Sequence, residues 1–66
     1  MQYHLIGVGG AGMSVIAELL AANGDTVTGS DRQDSANLQH LAELGLSVHP
    51  QHDPTQVPAE ATVVVS

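Results

Sequence analysis

Four glycines fall within six residues, at positions 7, 9, 10 and 12, and they join an apolar stretch to an alanine- and leucine-rich one. Glycine loses more chain entropy on folding than any other residue, so such a density needs a reason. The run Gly7, Gly9, Gly12 satisfies G-x-G-x-x-G. That spacing carries weight only where it follows a strand and opens a helix. The flanking residues supply this context. Residues 3–8 are apolar with Ile6 and Val8, which predicts a short buried strand. Residues 11–23 place Met13, Ile16, Leu19 and Leu20 at helical spacing among alanines, which predicts a helix whose inner stripe they form. In a strand–glycine loop–helix unit of this kind, Gly7 permits the turn and Gly9 lets a phosphate approach the backbone. Gly12 lets the helix pack closely on the sheet.

The remaining punctuation predicts a parallel α/β sheet. Gly24 stands where a left-handed helix cap belongs. Residues 26–29, with Thr26, Val27 and Thr28, read as a second strand. Residues 30–34 form a polar loop, and Asp34 or Ser35 caps a second helix that runs to about Leu44. Leu38, Leu41 and Leu44 are its expected inner stripe, and Gly45 stops it. Residues 46–49 make a short third strand ended by Pro50, and Asp53-Pro54 marks one capped helical turn. Residues 61–65, with three consecutive valines, predict a strand covered on both faces. Right-handed crossovers then order about four parallel strands 3-2-1-4, a Rossmann-like sheet with flanking helices.

Composition removes several function classes. The net charge is -6 and Arg32 is the sole Lys or Arg, too little cation for a nucleic-acid groove or a basic membrane-surface helix. No apolar run approaches the roughly 20 residues of a membrane span, and the start lacks a signal peptide's charged region. The expectation is a cytoplasmic protein with neither nucleic acid nor membrane as partner. There is no cysteine, hence no disulfide staple. A chain of 66 residues buries only about 60% of its unfolded surface, so a single domain over residues 1–66 is expected to belong to something larger.

The candidate ligand site follows from the loop. Backbone N–H groups near Gly10, Ala11 and Gly12, with the positive end of the helix dipole, form an anion site without any cationic side chain. Ser14, in the first helical turn, offers a hydroxyl. Asp31 lies nineteen residues after Gly12 at the tip of the second strand, where an acid accepts hydrogen bonds from ribose hydroxyls. Ser30 is either a contact or part of the turn. His52 lies in a loop at the same sheet edge. His4 reads as structural and His40 as solvated. His49-x-x-His52 ahead of Pro54 is a poor metal clamp, so no metal site is expected. No catalytic triad is in sight. From these residues alone three readings stay open. They are a glycine-rich turn with no ligand, an NAD-binding domain of a dehydrogenase, and a nucleotide-sensing regulatory module.

The segments HLIGVGGAGMS, VTGSD, DSANLQHLAELG, His52-Asp53 and VVVS together resemble the amino-terminal domain of the Mur ligase family, over essentially the whole chain. Within the family the likeness is to the member that adds L-alanine to UDP-N-acetylmuramate in peptidoglycan synthesis. The resemblance implies that Gly9, Gly10, Ala11, Gly12, Met13 and Ser14 face the UDP diphosphate. It also implies that Ser30, Asp31, His52 and Ser66 line the rest of the nucleotide cleft. It implies an ATP-dependent carboxylate–amine ligase that passes through an acyl phosphate, with ATP, Mg2+ and L-alanine held by other domains. No G-x-x-x-x-G-K-[ST] and no lysine occur here, so these 66 residues are expected to be catalytically inactive and to hold no cofactor. One departure is Gln51, where the family usually has glycine. A positive φ at that position would strain it.

Overall fold

The computed structural model describes residues 1–65. Ser66 lies outside the described residues. The elements run β1 (Gln2–Ile6), α1 (Ala11–Ala22), β2 (Thr26–Ser30), α2 (Ala36–Glu43), β3 (Ser47–His49), a 3-10 turn (Pro54–Gln56) and β4 (Thr62–Val65). All three strand pairings are parallel, and the order is β3-β2-β1-β4, as the connection rules predict.

Register decides which side chains meet. Tyr3 pairs with Val27, and Leu5 pairs with Gly29 on one side and Val64 on the other. Those residues share the face that carries the core of Leu5, Val8, Met13, Ala17, Val27, Leu38 and Leu41. Successive right-handed crossovers put α1 and α2 side by side on that face. The alternate residues His4, Thr28 and Ser30 point to the second face. There His4 and Ser30 are enclosed in part by the segment that carries the 3-10 turn.

Local chemistry sets the element ends. Gly7 has φ +84, a conformation that stops β1 at Ile6, two residues short of the expected end. Val8 is nonetheless fully buried. Helix α2 is capped by Ser35, whose hydroxyl accepts the Leu38 amide at 3.1 Å. Gly24 and Gly45 both take positive φ just past the two helices, as expected of helix stops. Asp53 caps the 3-10 turn by accepting the Thr55 amide at 2.9 Å. That amide and the Thr55 hydroxyl hold its carboxyl below the usual carboxylate range.

Three packing expectations are corrected. The buried stripe of α1 is Met13 and Ala17 with Leu20 and Ala21 against them, whereas Leu19 is 65% exposed and Ile16 also faces out. Ala17 is fully buried at the centre of that stripe. Leu44 is 51% exposed because α2 ends at Glu43 and Leu44 is its C-cap, turned away from Leu38 and Leu41. β4 is not covered on both faces: Val64 packs on the core, but Val63 is half exposed and Val65 is 68% exposed. Among the described residues β4 is one of the two edge strands, and no helix covers its second face.

Candidate functional site

The glycine loop is fixed to the tip of β2 by backbone hydrogen bonds. The amides of Gly7 and Val8 both donate to the Ser30 carbonyl, at 2.8 and 3.1 Å, and the Gly10 amide donates to the Gly7 carbonyl at 3.0 Å. Helix α1 then starts at Ala11. Gly10 is its N-cap, without a side-chain cap and without an acidic residue in the first turn. The first amide of the helix with an acceptor is Ser14, which donates to the Gly10 carbonyl at 2.8 Å. The amides of Ala11, Gly12 and Met13 therefore have no partner among the described residues. Three open donors at the positive end of a helix make a site for an anion.

A cleft of about 390 Å³ opens there, lined by Ile6, Gly7, Gly10, Asp31, Arg32 and His52. It brings together the loop, the β2 tip and the 50–53 segment, as expected from sequence. The Ser30 hydroxyl and His52 Nδ1 lie 2.7 Å apart, so a buried hydroxyl fixes the ring at the cleft wall. An apolar hollow of about 290 Å³ on the second sheet face shares Ile6 and His52 with the cleft. A larger hollow of about 480 Å³, lined by Glu18, Leu19, Ala21, Ala22, Leu44 and Leu46, lies by the C-terminal ends of the helices and away from this chemistry.

Individual residues behave differently from expectation. The Asp31 carboxylate is engaged within the protein: Oδ2 accepts the Gly9 amide at 2.9 Å and Oδ1 accepts the Arg32 amide at 2.7 Å. A Cβ on Gly9 would stand 2.9 Å from Asp31 Oδ2 and 3.0 Å from Ser35 Oγ, so a side chain there would push aside the Asp31 carboxylate that accepts the Gly9 amide. A Cβ on Gly12 would meet nothing within 4 Å, which corrects the expectation that Gly12 serves close helix–sheet packing. Close approach is required at Gly29, where a Cβ would stand 2.8 Å from Val8 Cβ. The Met13 side chain belongs to the core, leaving only its amide to the site. Ser14 is buried, and its hydroxyl donates to the Ala11 carbonyl at 3.0 Å, as helical serines do. No non-glycine residue among those described has positive φ, so Gln51 is unstrained beside His52.

Sequence reasoning missed three residues. Arg32 lines the cleft, and its guanidinium forms no ion pair among the described residues. Its signal was its standing as the lone cation beside Asp31. Asn37 donates to the Gly9 carbonyl at 3.0 Å, a contact that depends on how α2 docks and leaves no local trace. Gly29 was read as an ordinary strand residue. No group of three or more His, Cys, Asp or Glu side chains among the described residues is placed to hold a metal ion.

The sequence model of the Mur ligase family, catalytic domain, matches residues 2–66. The chain belongs to the Mur ligase family. Among Mur ligases, the UDP-N-acetylmuramate–L-alanine ligase of Rubrobacter xylanophilus is 50% identical over 66 residues, covering 100% of this chain and 15% of that protein. The ligase of the same name from Thermobifida fusca is 54% identical over 65 residues, covering 98% of this chain and 14% of its own. A crystal structure of UDP-N-acetylmuramate-alanine ligase from Thermotoga maritima superposes with a TM-score of 0.93 at 29% identity, over 98% of this chain and 15% of that one. The chain thus spans about 15% of the length of these Mur ligases. No helix among the described residues is long and apolar enough to cross a membrane.

Proposed function

We propose that residues 1–66 form the UDP-sugar-binding unit of an enzyme that joins L-alanine to UDP-N-acetylmuramate in peptidoglycan synthesis. The observation that carries this reading is the open N-terminus of α1, whose N-cap Gly10 lines a cleft, in a chain half identical to ligases of that name. The amides of Ala11, Gly12 and Met13 receive oxygens of the diphosphate, with Gly9 and Gly10 shaping the approach. Ser30, Asp31 and His52 wall the uridine end. Asp31 keeps lone pairs for a ribose hydroxyl while it holds the Gly9 amide. Arg32 adds a positive charge to the cleft lining. Ser66 follows β4 in sequence and is proposed for this cleft on the resemblance alone.

The same reading places the unit in a cytoplasmic ligase. ATP, Mg2+ and L-alanine are held by residues other than these, since phosphoryl transfer needs a second phosphate-binding loop and more cations than the single Arg32, and this sequence has no lysine. A thermal-shift panel of UDP-N-acetylmuramate, UDP, NAD and ATP tests the proposal. UDP-N-acetylmuramate and UDP raise the melting temperature at concentrations where NAD does not. A shift with NAD alone refutes it.

A further inference from the structure

We propose that Asn37 is a positioning residue for the glycine loop, a neutral clamp that holds the Gly9–Gly10 peptide in the orientation an anion needs. The inference rests on the reading that a phosphate group binds at the start of α1. Gly9 is gripped from both sides. Its amide donates to Asp31 Oδ2 at 2.9 Å, and its carbonyl accepts from Asn37 Nδ2 at 3.0 Å. The N–H of that second peptide belongs to Gly10 and donates to the Gly7 carbonyl at 3.0 Å. The plane of the peptide is thereby fixed at both ends, one residue before the three unpartnered amides.

Asn37 is the second residue of α2, and Ser35 caps the same helix while standing 3.0 Å from where a Gly9 Cβ would be. The start of α2 is therefore docked on the loop that opens α1. A glycine-rich loop without such a tie samples several peptide orientations. An anion binds only the fraction in which the amides converge, so apparent affinity falls with that fraction. The clamp raises it without touching ligand. Its chemistry is specific, because the Gly9 carbonyl accepts and Asn37 Nδ2 donates. Leucine at 37 leaves that carbonyl to water, and aspartate turns an acceptor toward it.

Asn37→Leu and Asn37→Asp test the clamp, with two readouts on the folded chain. Without ligand, amide hydrogen exchange at Gly9 and Gly10 speeds up by about 2- to 10-fold in Asn37→Leu, the equivalent of one hydrogen bond, while the Leu5 amide in β1 is unchanged. With ligand, the Kd for UDP rises by a similar factor in Asn37→Leu and further in Asn37→Asp. A merely structural role moves Leu5 together with the loop, and that result overturns the proposal. Wild-type exchange at Gly9 and Gly10 in both variants overturns it as well. Faster loop exchange with unchanged UDP affinity shows a tie that does not serve binding, again against it. If the wild-type chain takes no UDP, the functional reading falls and the clamp's role in binding falls with it.

Discussion

Gly29→Ala tests the packing that aims the glycine loop. Gly29 lies in β2 beside Leu5 of β1, and above it sits Val8, which is fully buried although it lies outside any strand. A Cβ on residue 29 would stand 2.8 Å from Val8 Cβ, 2.9 Å from Cγ1 and 3.0 Å from Cγ2. The Cβ of valine cannot rotate away, so Val8 moves as a whole and takes the loop with it. Overpacking of this kind costs about 1–3 kcal/mol. Alanine returns about 0.5–1 kcal/mol through lower chain entropy in the unfolded state. The net loss is roughly 0–2.5 kcal/mol, and with three contacts this close the upper half is expected. For a domain of this size 1 kcal/mol moves the melting temperature by about 4–8 °C, so a drop of roughly 5–20 °C is expected in a thermal melt followed by far-UV circular dichroism. Adding Val8→Ala removes the two γ-methyls but not the Cβ, so it relieves the overpacking only in part. A Gly29→Ala chain that melts at or above the wild-type temperature refutes this account of how Val8 and the loop are held.

Gly12→Ala is expected to behave in the opposite way. With nothing within 4 Å of the new Cβ it leaves the melting temperature unchanged or raises it by the equivalent of about 0.5–1 kcal/mol, while weakening UDP binding in a calorimetric titration because the methyl stands among the open amides. Acid sensitivity is expected from His4, which is 1% exposed and shares a hydrogen bond of 2.7 Å with Thr28 Oγ1. Burial, and then the nearby His49 and His52, lower its pKa. The neutral ring is therefore favoured in the folded state. Its contribution to stability is fully present above the unfolded value of about 6.5 and is lost as pH falls from there toward the folded value. Urea midpoints measured from pH 7.5 to 5.5 should fall, and more steeply for the wild type than for His4→Gln.

The parts of this fold that were legible in the sequence are those governed by local chemistry. Gly24, Gly45, Ser35 and Asp53 punctuate the chain where their backbone preferences place them. The strand order followed from the handedness of crossovers. What could not be read is set by tertiary distance. The hydrophobicity of α1 is spread over Ile16, Leu19 and Leu20, and the way the helix is rotated on the core selects Ala17 and Leu20 and leaves Ile16 and Leu19 outside. The three valines of β4 look like a covered strand, yet an edge position leaves two of them exposed. Asp31 and His52 could be placed on one cleft because strand tips and their loops converge at one sheet edge. The division of labour among the glycines could not be read, because it depends on what stands opposite Gly9, Gly12 and Gly29 in the folded chain.

The central claim is that the open amides at the start of α1 receive the diphosphate of a UDP-sugar. Titration of the 15N-labelled chain with UDP, and separately with NAD, followed by two-dimensional NMR, addresses it residue by residue. The account predicts that UDP shifts the amides of Ala11, Gly12 and Met13 first and most, with Gly10 and the β2 tip following and the far ends of the helices at Leu19 and Leu44 still. NAD leaves them in place at the same concentration. If NAD moves the Ala11–Met13 amides and UDP does not, the site binds a different nucleotide and the account is wrong.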